Sequence, residues 1–264
     1  MITDPIKSVT DFTFYHDVPK KTFGQTAAYV AYLGLIYSCV VVAALFLHFR
    51  PRINQAVDWA SSSFPELTLE NGELTSKTNE RKLIRHPDAE SLAVMIDTDR
   101  SEAVTPAEMS EQKLISYVTR DAIYVIDNNN TMKVYDLSKA QNEKPVKIDA
   151  QFFKTLGSIM SAVLYPVSFV TAFLIFFVWK HLAALVYSLV AVLINAGLGA
   201  GQEFHDLLKI SIYAQTPVVI LQMAGLIFLK PIPQFRILAF LVVGAYLWQA
   251  IKQLQPADDS LQDA

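Results

Sequence analysis

Residues 156–201 form one apolar stretch, broken only by Trp179-Lys180-His181. Nothing else in the chain constrains its fold as strongly. A bilayer core about 30 Å thick is crossed by roughly 20 apolar residues in a helix. This stretch is about twice that long. It predicts a tight helical hairpin, Leu156–Val178 and Leu182–Ala200, turning at Lys180-His181. Trp179 would sit at the headgroup level.

Three more segments suit lipid. Gln25 to His48 carries no formal charge. It is too long, and starts too late, for a removable signal peptide, and Phe46-Leu47-His48-Phe49 is a poor cleavage site. A fourth span is expected over Ile210–Leu229 and a fifth over Ile237–Ile251. The fifth is short, so Arg236 and Lys252 would have to snorkel. An interfacial helix is the alternative there.

Charge is segregated. Of 22 basic and 25 acidic residues, residues 51–154 hold 13 and 17. A soluble globule carries charge along its whole surface. The fold class is therefore a membrane α-helical protein of about five transmembrane helices, with a small α+β extramembrane domain between spans one and two. The expected plan is a cytoplasmic N-terminal interfacial segment (1–24), span one (25–48), the α+β domain (49–154), a four-helix transmembrane region (155–254, with spans at 156–178, 182–200, 210–229 and 237–251) and a disordered acidic tail (255–264). A net charge of −3 excludes a strongly basic nucleic-acid binder, and a lone Cys39 excludes a disulfide scaffold.

Basic residues in short segments set orientation. With the N-terminus inside, five spans leave Lys7, Lys20, Lys21, Lys180, Lys230 and Arg236 inside, against Lys209 and Lys252 outside. This expects residues 49–154 and the C-terminus outside. Arg50 and Arg52 argue the other way.

Within the insert, Asn71-Gly72 signals a turn and Leu92–Ile96 a short buried strand. Thr105-Pro106-Ala107-Glu108 reads as a capping box. Ile123–Ile126 and Met132–Tyr135, flanking Asp127-Asn128-Asn129-Asn130, read as a hairpin. Tyr124 and Tyr135 are its natural surface positions for crosslinking to a partner.

Candidate chemistry is sparse. Asp97-Thr98-Asp99 follows a strand, as the carboxylate pair of aspartyl phosphotransferases does. A strand end and turn explains it better, and no parallel sheet is legible around it. Glu203, His205 and Asp206 read first as a hydrated membrane edge, with a metal or proton-relay group as the alternative, and no metal is assigned. Pro166 and Pro217 are expected to kink spans two and four, as transporters do near their midplane sites. With Lys180 in a turn, no Asp, Glu, Lys or Arg lies inside a span, which argues against an ion-coupled pump. Gly197, Gly199 and Gly201 suit close packing or a loose end. Before span one, Phe12, Phe14, Tyr15, Val18 and Phe23 surround His16 and Lys20-Lys21, which suits either a helix along the leaflet or a flexible tail. No catalytic residue and no cofactor is assigned.

Three stretches carry a family likeness. They are Phe14–Gly24 running into span one, Leu69–Leu74 with Ala93–Thr98, and Leu207–Pro217 entering span four. Together they resemble a bacterial family of uncharacterised multi-span membrane proteins, sometimes found beside maltodextrin-utilisation genes. That family is itself similar, distantly, to Yip-type five-span proteins of eukaryotic trafficking. The resemblance implies a bacterial cytoplasmic-membrane location and assigns no activity. The expectation is a non-enzymatic, partner-binding or accessory protein in the bilayer, whose partner is another membrane or envelope protein. A permease accessory subunit and a membrane-surface enzyme acting on lipid or phosphate are the alternatives.

Overall fold

The computed structural model describes residues 2–256, except 79, 88, 128, 130, 140–143 and 229–232. Most of the expected acidic tail, the end of the expected fourth span at Leu229, and Lys230 lie outside the described residues. The chain divides into two units, Met1–Phe49 with Val163–Ala264, and Arg50–Ala162.

The first unit is helical. α1 (Asp4–Thr10) and a 3-10 turn (Phe12–His16) precede α2 (Phe23–His48). Thr22 and Gln25 form a reciprocal capping box that starts α2. α5 (Ala150–Leu198) enters this unit from the other. α6 (Phe204–Ala214), α7 (Thr216–Phe228) and α8 (Phe235–Lys252) complete it. Among the described residues, four helical segments are long and apolar enough to cross a membrane: Phe23–Ser63, Ala150–Leu198, Phe204–Phe228 and Phe235–Lys252.

The expected hairpin is absent. α5 is one helix of 49 residues, and Lys180-His181 lies inside it. Neither residue breaks a helix, and no Gly or Pro accompanies them. Their polar groups are met in place. His181 Nδ1 lies 2.7 Å from the Phe177 carbonyl oxygen, and Lys180 Nζ donates to Gln222 Oε1 at 3.4 Å. Pro166 sits inside the same helix.

Pro217 follows a one-residue break inside the third long segment, Phe204–Phe228. α6 ends at Ala214 and α7 begins at Thr216. Proline has no N–H to give the Tyr213 carbonyl. The Thr216 hydroxyl donates to that carbonyl instead, at 2.7 Å.

The N-terminal segment is neither a surface-lying helix nor a free tail. Tyr15 and Val18 are completely buried. The Phe14 ring meets Tyr213 edge-on, the Tyr15 hydroxyl donates to the Ser8 carbonyl, and the Tyr246 hydroxyl donates to the Val9 carbonyl at 3.0 Å. Lys209 Nζ donates to the Pro19 carbonyl at 2.7 Å, and Gln255 Nε2 to the Leu198 carbonyl. The N-terminal segment, the start of α6 and the ends of α5 and α8 therefore share one end of this unit. At the other end, His48 Nε2 lies 2.9 Å from the Ile227 carbonyl oxygen. The last helix finishes beside the N-terminal segment. Four long helical segments give this arrangement, where five would put the two at opposite ends.

The second unit is α+β. α3 (Arg50–Ser63) leads into β1 (Leu67–Glu70) and β2 (Glu73–Ser76), which with β8 (Val146–Ile148) make a three-stranded sheet. β3 (Lys82–His86), β4 (Ala89–Ile96), β5 (Ser116–Val118), β6 (Ala122–Ile126) and β7 (Met132–Asp136) make a second sheet in that order. β6 and β7 form the expected antiparallel hairpin. β4 and β5 are parallel, joined across α4 (Pro106–Glu111), so one parallel pair does follow Asp97. The Thr105–Glu108 capping box is present. Period-two alternation divides the strands between two cores. Ala93, Met95, Tyr117 and Tyr124 pack with Met109 of α4, while Ile84, Ile96 and Val118 pack with Leu67, Leu74 and Trp59.

Candidate functional site

Lys180 is a cation set inside the long apolar helix α5. It stands midway along α5, with its ammonium 5.6 Å from the Phe176 ring centroid and hydrogen-bonded to Gln222 of α7. Gln215 Nε2 donates to the Lys180 and Ser211 carbonyls, at 3.4 and 3.2 Å. Gln215 and Gln222 are seven residues apart, so α7 and the break before it present both to one face of α5.

Two cavities meet at Lys180. One, of about 700 Å³, lies between α5, the α6–α7 break and α8, and is lined by Lys180, Gln215, Gln222, Arg236, Val186 and Val243 among others. The second, of about 600 Å³, lies towards α2, with Tyr37, Thr171, Trp179, Lys180 and Gln222 in its lining. Such volumes suit a small-molecule ligand. Ser168 and Thr171 also line the second cavity, and among the described residues the Lys180 ammonium bonds Gln222 rather than either hydroxyl. The arrangement can hold an anion or a hydrogen-bonding group against apolar walls. It contradicts the expectation that no ionisable residue lies within a span, because Lys180 is in helix rather than turn.

Glu203, His205 and Asp206 do come together, at the start of α6. His205 Nδ1 lies 3.0 Å from Glu203 Oε2 and its Nε2 3.1 Å from Asp206 Oδ1. Lys209 Nζ lies 2.9 Å from that same Asp206 oxygen and is 5% exposed. A lysine ammonium thus holds the place a metal cation would take. No group of three or more His, Cys, Asp or Glu is arranged for a metal among the described residues.

The family-like stretches Phe14–Gly24 and Leu207–Pro217 pack against each other here. Besides the Phe14–Tyr213 contact, Lys21 lies 5.0 Å from the Tyr213 ring centroid, and Lys209 lies 5.7 Å from that of Phe23. Lys21 Nζ also donates to Asp4 Oδ2 at 2.6 Å. Burial acts to raise the Asp4 carboxyl, but hydrogen bonds and charge from Lys21 and from the N-terminal amine together hold it below its ordinary value.

Asp97 and Asp99 form no paired site. Asp97 Oδ2 accepts from the Tyr117 hydroxyl at 3.1 Å, and the Arg100 N–H donates to the Asp97 carbonyl, closing a turn. Arg100 continues to Glu108, at 3.1 Å. The Thr105 N–H first, and Arg100 second, hold the Glu108 carboxyl below its ordinary value. These groups lock the strand end to α4. On the same sheet Tyr135 is exposed, whereas Tyr124 is buried and unfit as a crosslinking position.

Sequence reasoning missed the Lys180–Gln222–Arg236 grouping because it read Lys180 as loop. The available signal was the pair of glutamines in an otherwise apolar segment, whose seven-residue spacing marks one helix face.

No curated protein matches this chain, and no solved structure does. A family model described as a protein of unknown function, DUF1189, matches residues 4–251, and the chain belongs to that family.

Proposed function

We propose that this chain is a multi-pass protein of the bacterial cytoplasmic membrane that works by binding rather than by catalysis. Its membrane helices would hold a ligand, and its 49–154 domain would meet another envelope protein outside the membrane. The observation that carries this reading is the position of Lys180, a half-buried cation between two cavities with amides and apolar walls around it and its ammonium bonded to Gln222. The outward face of α5 supports the membrane location. Val167, Val170, Leu174, Val178, Leu182 and Leu189 are all at least half exposed, a continuous apolar face that water would not tolerate and lipid would cover.

Orientation follows from the end shared by the N-terminal segment and α8. Lys7, Lys20, Lys21, Lys209 and Lys252 gather there, against Arg236 in the first turn of α8 and Lys230 before it in the sequence, with Arg50 and Arg52 after α2 as the counterweight. The positive-inside rule makes the five-lysine end cytoplasmic. Lys209 and Lys252, counted as outer under five spans, change sides. The domain after α2 then lies outside.

The test has two parts. The protein should stay with membranes through an alkaline wash. A photocrosslinker at Tyr135, supplied in intact cells, should trap a defined envelope protein. Recovery of uncrosslinked chain alone, under conditions that trap established complexes, removes the partner. A permease accessory role is the second reading, favoured by the cavities meeting beside the Thr216-Pro217 break. Solute flux into proteoliposomes that is lost with Lys180→Gln would establish it.

A further inference from the structure

We propose that the larger cavity is a binding site for an anionic phospholipid taken from the surrounding leaflet, with the phosphate held by Lys180 and Arg236. This rests on the membrane reading above and specifies its ligand.

The cavity is polar at one end only. Lys180 and Arg236 line it at the level where α8 begins. Along both helices, going towards their C-terminal ends, the lining becomes Val186 and Tyr187 on α5 and Ala239, Phe240 and Val243 on α8. Tyr187 and Phe240 face each other, with ring centroids 6.2 Å apart, so the two helices run side by side in the same direction through this region. Seven residues of helix separate Lys180 from Tyr187 and Arg236 from Val243, a rise of about 10 Å on each. A ligand filling this space needs a charged head and an apolar body on one axis. Inorganic phosphate lacks the body, and a neutral apolar molecule would leave the cations unmatched.

The cation pair fits a phosphate. No hydrogen bond or ion pair engages the Arg236 side chain among the described residues, and Lys180 has only a neutral amide partner. Neither charge is neutralised by a carboxylate lining the cavity. A guanidinium and an ammonium together supply forked and point donors to phosphate oxygens. Unneutralised cations in an apolar setting are costly, and an anion brought in with its own hydrocarbon chain relieves that cost.

The source is the bilayer. The walls on the outer side are themselves exposed: Trp179 by 64%, Val186 by 60% and Phe240 by 47%. The cavity thus opens sideways between α5 and α8 onto the face that lipid covers. An acyl chain can enter along its length without crossing water. By the orientation argued above, Lys180 and Arg236 lie in the half of the membrane away from the N-terminus.

The experiment uses the full chain in nanodiscs that mix phosphatidylcholine with phosphatidylglycerol, followed by native mass spectrometry of the released protein. The wild type should retain phosphatidylglycerol in preference to phosphatidylcholine. The Lys180→Gln/Arg236→Gln double variant should lose that preference about thirtyfold, the sum of two interfacial cationic contacts. Ala183→Phe/Ala239→Phe, which fills the apolar end and leaves both charges, should lose it as well. Thermal unfolding of each variant checks that the helices remain packed. If that variant of the double charge change is unfolded, Arg236→Gln alone, at an exposed position, gives the charge readout. Equal retention by wild type and the charge variants overturns the proposal. Displacement of the lipid by inorganic phosphate alone, with the alanine-to-phenylalanine variant unaffected, overturns the lipid and leaves a phosphate site. A chain that stays in solution without detergent sinks the membrane reading itself, a result distinguishable from loss of lipid preference in an embedded protein.

Discussion

Tyr29 of α2 places its hydroxyl oxygen 2.7 Å from Thr216 Oγ1, beside the proline that interrupts the α6–α7 ladder. The same hydroxyl lies 3.3 Å from Ser8 Oγ. Its ring stacks on Tyr213 with centroids 4.1 Å apart. One side chain thus joins the N-terminal segment, the first long helix and the helix break.

Tyr29→Phe keeps the stacking and removes the bridge. Thr216 and Ser8 keep their bonds to the Tyr213 and Pro5 carbonyls, and both lose the Tyr29 hydroxyl. The expected cost is about 1–2 kcal/mol. Thermal unfolding in detergent would measure it, and limited proteolysis at Lys20 and Lys21 should become faster. An unchanged midpoint with unchanged cleavage would refute the bridge.

The Asp4–Lys21 pair makes the same segment acid-sensitive. The carboxyl is held below its ordinary value of 3.8 when docked. Its contribution is therefore complete above about pH 4 and is lost as pH falls through the lowered value. Docking followed by proteolysis should weaken only in that acid range. In Lys21→Met the segment should be looser at neutral pH, and the acid step should shrink. A wild-type profile in the variant would contradict this.

The continuous course of α5 can be tested by labelling. Cys39 is the only cysteine, so Cys39→Ser gives a clean background. On the membrane reading proposed above, His181→Cys should resist a membrane-impermeant maleimide from either face, because the position lies within α5 rather than in a turn. Lys20→Cys, on an exposed side chain, should label from the cytoplasmic face. Ready labelling at 181 would restore a turn there.

Gly72 has φ +83°, and a Cβ there would stand 2.7 Å from the Leu137 carbonyl oxygen and from the Ser138 Cα. Both neighbours are backbone, so neither can swing away. Gly72→Ala should cost about 1–3 kcal/mol. Chemical unfolding of the full chain, followed through a probe in the α+β unit, reads this directly. A loss below a few tenths would mean the turn is not held as described.

Local chemistry was legible where a few adjacent residues decide the outcome. Asn71-Gly72, the Thr105–Glu108 capping box and the turn after Ile126 carry their instructions within four or five positions. What was illegible depends on distant partners. Lys180 reads as loop because the apolar run is about twice the length of one span, yet Gln222, 42 residues later, gives it a hydrogen-bond partner inside a helix. Phe12 and Phe14 look like a surface helix until Tyr246 and Tyr213 are seen to pack on them. The parallel β4–β5 pairing depends on a crossover through a helix of six residues, too short to announce itself by periodicity. At Glu203-His205-Asp206 the residues do cluster as their spacing allows, and it is Lys209, one turn on, that decides what they do.

The Tyr246–Val9 hydrogen bond joins residues 237 positions apart. Synthesis runs from one to the other, so Phe12, Phe14 and Tyr15 leave the ribosome long before α8 exists to receive them. Biogenesis therefore has a final latching step that cannot occur until the closing helix is made. Chains truncated before Tyr246 would carry an unlatched aromatic leader, a mark by which a cellular protease could tell an unfinished copy from a finished one.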